Sequence, residues 1–190
     1  MRYKFQALFL AFLPLVVAAG KFKAITPSPD TGGMKSRLTI TTSDGARFDA
    51  HTNAEQVGYE NAYVSPDGEY VGWLDMYPLP GANFNYPIPE TLVVLDQSKN
   101  LHYFRAGPQS IFEWCFVPGV AEVAYESGPL HFSNEADFYL RRISDGRLLA
   151  TFSFPNQTSA ERTAAAKHAP RWAQCLLKQT AANHASLRKY

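Results

Sequence analysis

The chain has 190 residues, of which 46% are hydrophobic and 14% aromatic, and its formal net charge is +1. Such an apolar composition excludes a chain that is disordered throughout, and a near-neutral charge without a basic stripe argues against a nucleic-acid partner. The length is sufficient for one well-buried domain.

The N-terminus has the three parts of an export signal. Arg2 and Lys4 precede the apolar run "ALFLAFLPLVVAA", and Val17 and Ala19 fit the small-residue cleavage pattern. We therefore predict a signal peptide over residues 1–19 and a protein that is periplasmic or secreted. An uncleaved anchor is disfavoured because the run is shorter than the ~20 residues that span a bilayer and contains a proline. No later segment is apolar enough to span a membrane.

Strand signals recur from residue 37 onward with short turns between them, and no long helical pattern appears before residue 158. This pattern predicts a mainly β domain over residues 20–157. The predicted strands are Arg37–Thr42, Ala46–Ala50, Tyr59–Val64, Glu69–Leu74, Thr91–Asp96, Leu101–Arg105, Ile111–Phe116, Val120–Glu126, Asp137–Ile143 and Arg147–Ser153.

Two kinds of hairpin alternate along the chain. The segment "YVSPDGEYVGWL" matches "CFVPGVAEVAYE" at an offset of 52, so that Val71 corresponds to Val123 and Trp73 to Tyr125. Between them lies "TLVVLDQSKNLHYF", whose later partner is "YLRRISDGRLLATF", with Leu101 corresponding to Leu148 at an offset of 47, and "LTITTSDGARF" is an earlier version of it. Gly, Asn and Pro stand where tight turns need them.

A period near 50 residues with two alternating hairpins is typical of four-stranded propeller blades. The chain resembles the TolB-like and WD-repeat β-propeller families, because "SPDGEYVGWL" is similar to their turn-and-strand segment and "ISDGRLLATF" to their outer hairpin. The resemblance covers about residues 36–154, and "FVPGVAEV" departs from it in the second copy. It implies antiparallel four-stranded repeats in an incomplete propeller of about two and a half blades. An ordinary meander or sandwich is the alternative.

An incomplete propeller leaves blade faces and edges to be covered. Closed propellers usually have at least about four blades, so this chain is expected either to form an open curved stack or to associate with copies of itself. The homo-oligomer through blade edges stays one of the open alternatives.

A C-terminal helical segment is predicted over residues 158–190, packed on the sheet. Thr158 and Glu161 form a capping box that begins one helix, and Pro170 ends it and begins a second. Residues at helical spacing form one face of the second helix: Trp172, Cys175, Leu176 and Gln179.

Cys115 and Cys175 are the only cysteines. Export would place them where disulfides persist, and closing so long a loop is worth roughly 4 kcal/mol in the chain-entropy model. A disulfide is therefore predicted, with two separate buried thiols as the alternative. A zinc site is disfavoured because no His or second Cys lies at ligand spacing.

Function is predicted at the rim that carries the long connections, opposite the tight turns. The Asp75–Glu90 loop carries Tyr77, Phe84 and Tyr86 among four prolines, a composition that limits the entropy lost on binding and offers flat aromatic surface. These rings could instead form a lid over the open edge of the stack. His131 and Phe132 lie on the equivalent later loop. The predicted partner-binding residues are Asp75, Tyr77, Phe84, Tyr86, His131 and Phe132.

No metal or cofactor site is predicted. His131 has carboxylates near it in sequence, but no fixed-spacing motif supports a cation there. The chain also has no nucleophile elbow, metalloprotease motif or phosphate-binding loop. We therefore predict an exported, non-catalytic interaction module that binds a protein or an envelope component. The alternatives are an extracytoplasmic hydrolase or carbohydrate-active enzyme that uses rim carboxylates, and a self-assembling structural subunit.

Overall fold

A computed structural model of the protein describes residues 20–28, 37–51, 55–78, 87–105, 107, 109–129, 136–154 and 166–177. The strands that it describes pair antiparallel and confirm a mainly β fold. The strands are β1 (Phe22–Pro27), β2 (Leu38–Thr42), β3 (Arg47–Asp49), β4 (Gly58–Val64), β5 (Tyr70–Tyr77), β6 (Ile88–Asp96), β7 (Leu101–Arg105), β8 (Ser110–Phe116), β9 (Glu122–Gly128), β10 (Ala136–Arg142) and β11 (Leu148–Phe154).

The strands form three sheets that stack face to face. Sheet A has the order β1-β2-β3, sheet B the order β4-β5-β6-β7, and sheet C the order β8-β9-β10-β11. Sheet B lies in the middle. The core between sheets A and B contains Phe22, Leu38, Ile40, Val71, Trp73 and Val93. The core between sheets B and C contains Leu74, Leu92, Phe104, Ile111, Val123 and Tyr125.

The middle position of sheet B explains why β5 is buried on both faces. Successive side chains of a strand point to opposite faces of the sheet. Val71 and Trp73 therefore pack toward sheet A, whereas Leu74 packs toward sheet C. The apolar run that the sequence shows at this point is what a strand covered on both sides requires.

The internal repeat is visible in the strand positions. β4 begins at Gly58 and β8 at Ser110, which keeps the offset of 52, and β7 and β11 keep the offset of 47. Trp73 and Tyr125 are both fully buried, and each packs toward the sheet that precedes its own in the chain. Sheets B and C are thus two copies of one unit.

Four strand predictions need correction. β1 (Phe22–Pro27) was not predicted. β6 begins at Ile88, so residues 88–90 belong to this strand and not to the predicted loop. β5 continues to Tyr77, so Asp75 lies inside a strand and not in a loop. Val120 is 50% exposed in the turn between β8 and β9, and β9 is accordingly shifted to Glu122–Gly128.

The described strands form a stack of three sheets and no closed ring, so the propeller resemblance stays a prediction. The stack ends differently on its two sides. Thr39 and Thr41 alternate with the buried Leu38 and Ile40, which gives sheet A a polar outer face. The outer face of sheet C is covered by the C-terminal segment.

That segment contains a 3₁₀ helix over Arg171–Ala173, which follows an extended Pro170 with ψ of 148°. Ala173 and Leu176 are fully buried, and Leu176 packs against Phe138 and Leu140 of sheet C. Cys175 is joined to Cys115 of β8 by a disulfide with a Cα–Cα distance of 6.3 Å, which confirms the predicted pairing. The C-terminal residues are therefore fixed to the sheet by packing and by a covalent bond.

Several predicted features lie outside the described residues. These are the signal peptide over residues 1–19, the capping box at Thr158 and Glu161, and Gln179. The domain boundary between residues 157 and 158 falls there too and stays a prediction.

Trp114 of β8 contacts sheet B at two points. Its Nε1–H donates to the backbone carbonyl of Asn61 over 2.7 Å, and Asn61 adopts a positive φ of 47° in a bulge of β4. The indole also lies over Gly72 of β5, where an added Cβ would be 2.7 Å from Trp114 Cη2. The absence of a side chain at Gly72 is what lets the ring enter.

We expect Gly72→Ala to destabilise the fold by about 2 kcal/mol, because overpacking a filled core forces neighbours to move. The loss should be read from the midpoint of urea unfolding. Trp114→Phe is the second arm of a double-mutant cycle. The alanine should cost less in that background, and an equal cost in both backgrounds would place the clash elsewhere.

Replacing both Cys115 and Cys175 by Ala should lower the free energy of unfolding by about 4 kcal/mol, the chain-entropy value for so long a loop. Amide exchange should accelerate first in residues 166–177, because packing alone then holds them. Sheet A, which makes no contact with the disulfide, is the internal reference. Unchanged exchange in residues 166–177 would show that the disulfide does not hold the segment.

Candidate functional site

The hairpin turns gather at one end of the stack, which we call the tight-turn rim. It comprises residues 43–46, 65–69, 97–100, 117–121 and 143–147. Aspartates organise these turns. The Asp67 carboxylate accepts from the Ser65 hydroxyl and the Glu69 N–H, which together hold its pKa below the usual range. The Asp145 carboxylate accepts from the Arg147 N–H, and its pKa is lowered in the same way.

The long-connection rim is the opposite end, where β3, β5, β7 and β9 end and β4, β6, β8 and β10 begin. Four of the predicted binding residues, Phe84, Tyr86, His131 and Phe132, lie outside the described residues. The structure places the other two, Asp75 and Tyr77, at the end of β5 that leads into residues 78–87.

Asp75 is a buried carboxyl group, only 3% exposed. It lies opposite Tyr59 of β4 and Thr91 of β6. The Trp73 Nε1–H donates to its Oδ1 over 2.8 Å, and the Tyr77 hydroxyl donates to its Oδ2 over 3.5 Å. The prediction that Asp75 is a loop residue was wrong because residues 71, 73, 75 and 77 continue the alternation of β5.

Burial raises the pKa of Asp75 to about 6, against the lowering effect of the hydrogen bonds from Trp73 and Tyr77. Removing a carboxylate from water penalises its charged form, and two donors compensate only in part. A carboxyl group with this pKa changes its protonation state close to physiological pH. That property distinguishes it from the tight-turn aspartates, whose pKa values are lowered.

Aromatic residues surround Asp75. Tyr59 packs edge-on against Trp73 at 6.3 Å between ring centroids, and its hydroxyl donates to the His51 carbonyl over 3.3 Å. Tyr103 of β7 is 51% exposed. Burial raises the pKa of Tyr103, and the neighbouring Asp75 and Tyr77 raise it further. We call Trp73, Asp75, Tyr77 and Tyr103 the Asp75 site.

The Asp75 site can do two things chemically. Tyr103 offers an exposed aromatic ring to a partner. The buried Asp75 can take up or release a proton. Among the described residues, no group of three or more His, Cys, Asp or Glu side chains is arranged to hold a metal ion. Sequence reasoning missed Tyr103, since its place beside Asp75 depends on the pairing of β6 with β7.

A groove of about 690 Å³ lies at the tight-turn rim, between the β8–β9 turn and the C-terminal segment. Its walls are mainly apolar, and the disulfide lies in one of them. The lining residues are Val117, Pro118, Val120, Glu122, Leu140, Arg171, Trp172, Gln174 and Cys175. No local motif could have predicted it, because residues 117–122 and 171–175, which form its two walls, are far apart in the chain.

Comparison of the chain with models of known protein families found no match, and a search of curated proteins found none either. Within the described part of the chain, no helix has the length and apolar character needed to cross a membrane. The site is therefore interpreted from its own geometry.

We expect the wild-type protein to lose about 2 kcal/mol of stability between pH 4.5 and 7.5 through Asp75. The pKa of Asp75 is higher in the folded than in the unfolded protein, so protonated Asp75 favours the folded state. This stabilisation is complete below the unfolded value of 3.8 and disappears as pH rises through about 6. Asp75→Asn should remove this slope. Urea midpoints across the range test the expectation, and an Asp75→Asn curve parallel to wild type would contradict it.

Proposed function

We propose that the protein is an exported, non-catalytic module that binds a protein or an envelope component through its long-connection rim. The observation that carries the proposal is the exposed ring of Tyr103 on the edge strand β7, whose pKa is raised by burial and by the charges of Asp75 and Tyr77. Exposed aromatic rings on a rigid sheet give contact area at little entropic cost, and such residues dominate binding energy at interfaces.

Export is part of the proposal and rests on two independent features. The first 19 residues have the composition of a signal peptide. The Cys115–Cys175 disulfide fits a compartment in which disulfides persist, since cytosolic thiols are usually kept reduced. The signal sequence and the disulfide therefore favour the same location, the periplasm or the outside of the cell.

An enzyme that uses rim carboxylates is the second candidate, and the raised pKa of Asp75 is the observation in its favour. It is disfavoured because Asp75 is almost completely buried and both of its oxygens already accept hydrogen bonds. A substrate would have to displace Tyr77 to reach it. Self-assembly through the blade edges is the third candidate. Assembly through the outer sheet faces is disfavoured, since one outer face is polar and the other is covered.

Affinity capture from the native envelope extract tests the binding proposal. Tyr103→Ala and Tyr77→Ala should each reduce the retained partner at least tenfold, because each removes aromatic contact area at the rim. Val120→Ala and Leu148→Ala are matched controls, since these side chains are 50% and 45% exposed at the tight-turn rim. Thermal unfolding of each variant verifies that the fold is intact.

Equal capture by the rim variants and the controls would remove the Asp75 site from the proposal. A second set of variants, Phe84→Ala with Tyr86→Ala and His131→Ala with Phe132→Ala, then tests the remaining predicted residues. Turnover of chromogenic glycosides or esters that Asp75→Asn abolishes would support the enzyme instead.

A further inference from the structure

We propose that Asp75 is the proton-sensitive element of a switch that sets how Tyr77 is held where β5 leaves the sheet. The carboxyl group joins two side chains of different character. Trp73 is fully buried in the core between sheets A and B, whereas Tyr77 is only half-buried at the rim. A change in the charge of Asp75 therefore alters one hydrogen bond in the core and one at the surface.

The two oxygens of Asp75 have separate partners. Oδ1 accepts from the Trp73 indole at 2.8 Å, a short bond inside the core, and Oδ2 accepts from the Tyr77 hydroxyl at 3.5 Å. Oδ2 has the longer and therefore weaker bond, so we expect the proton to bind there. Protonation there removes the charge that attracts the Tyr77 hydroxyl, and charge-assisted hydrogen bonds are roughly twice as strong as neutral ones.

Among the described elements packed against Asp75, no cationic side chain neutralises its charge. Tyr59 of β4, Thr91 of β6 and Tyr103 of β7 are its polar neighbours, and Arg105, which pairs with Thr91, is exposed. From sheet A the core contributes apolar residues, among them Leu38 and Ala50. The charge of Asp75 therefore depends on pH and on its two donors.

The direction of the switch follows from these contacts. With a pKa of about 6, roughly a tenth of the Asp75 side chains are ionised at pH 5 and nearly all at pH 7.5. Ionisation strengthens the bond to Tyr77, so Tyr77 is held more firmly at the higher pH. If a partner needs Tyr77 in its held position, its apparent affinity falls about tenfold at pH 5, a consequence that rests on the proposed function.

Nuclear magnetic resonance of the whole protein, labelled with ¹⁵N at tryptophan and ¹³C at tyrosine rings, tests the switch without any partner. The Trp73 indole signal should shift with a midpoint near pH 6, and the Tyr77 ring signals should follow the same midpoint. Trp114 is the internal control, because its indole donates to a backbone carbonyl that does not titrate.

Three variants separate the possible causes. Asp75→Asn should abolish both titrations, and an unchanged Trp114 signal shows that it is folded. Tyr77→Phe should leave the Trp73 titration in place. His51→Gln should change nothing, a control that matters because the His51 carbonyl accepts from Tyr59, which packs against Trp73.

A Trp73 indole signal that stays constant from pH 4.5 to 7.5 would overturn the switch. So would a Tyr77 ring that titrates equally in Asp75→Asn. These outcomes are independent of affinity capture: a titrating Asp75 with no captured partner refutes the proposed function alone, and a captured partner with a silent Asp75 refutes the switch alone.

Discussion

The close approach of Trp114 to Gly72 sets the distance between sheets B and C. The indole fills the space that a glycine leaves, and its N–H finds a carbonyl because β4 bulges at Asn61. Burying an indole N–H without a partner would cost about 1–3 kcal/mol, so the bulge and the glycine are required together. The equivalent of Gly72 in sheet C is Ala124, which lies in the core that the C-terminal segment covers.

The two interfaces of sheet B are joined differently. Toward sheet C, Trp114 packs over Gly72 of sheet B. Toward sheet A, the turns of the tight-turn rim also make direct contacts. The Phe22 N–H donates to the Gly68 carbonyl over 2.8 Å, and the Lys99 ammonium lies 3.5 Å from the centre of the Phe48 ring. A stack ended by a polar face and a disulfide-bound segment can bury its core without closing into a ring.

Local patterns predicted much of this fold. The Asp-Gly and Pro-Asp-Gly turns located the hairpins, because the backbone at Gly45, Gly68 and Gly146 needs a positive φ that glycine adopts freely. The offset of 52 predicted that Trp73 and Tyr125 are equivalent. The register of β6 with β7 and the groove beside the disulfide depend on contacts between separate segments of the chain. No single stretch of sequence predicts them. The prediction ended β5 at Leu74 and began the loop at Asp75, whereas the strand continues to Tyr77.

The repeat also shows why Asp75 is unusual. Its equivalent in sheet C is Ser127, which is fully buried as well and donates to Gln109 over 2.9 Å. Both copies therefore place a polar group near the end of the second strand, β5 or β9, where the buried core ends and the long-connection rim begins. A serine satisfies that position without an ionisable group. Sheet B instead carries a carboxyl group that destabilises the fold near neutral pH, and a cost of that kind is more often found at functional sites than in structural cores.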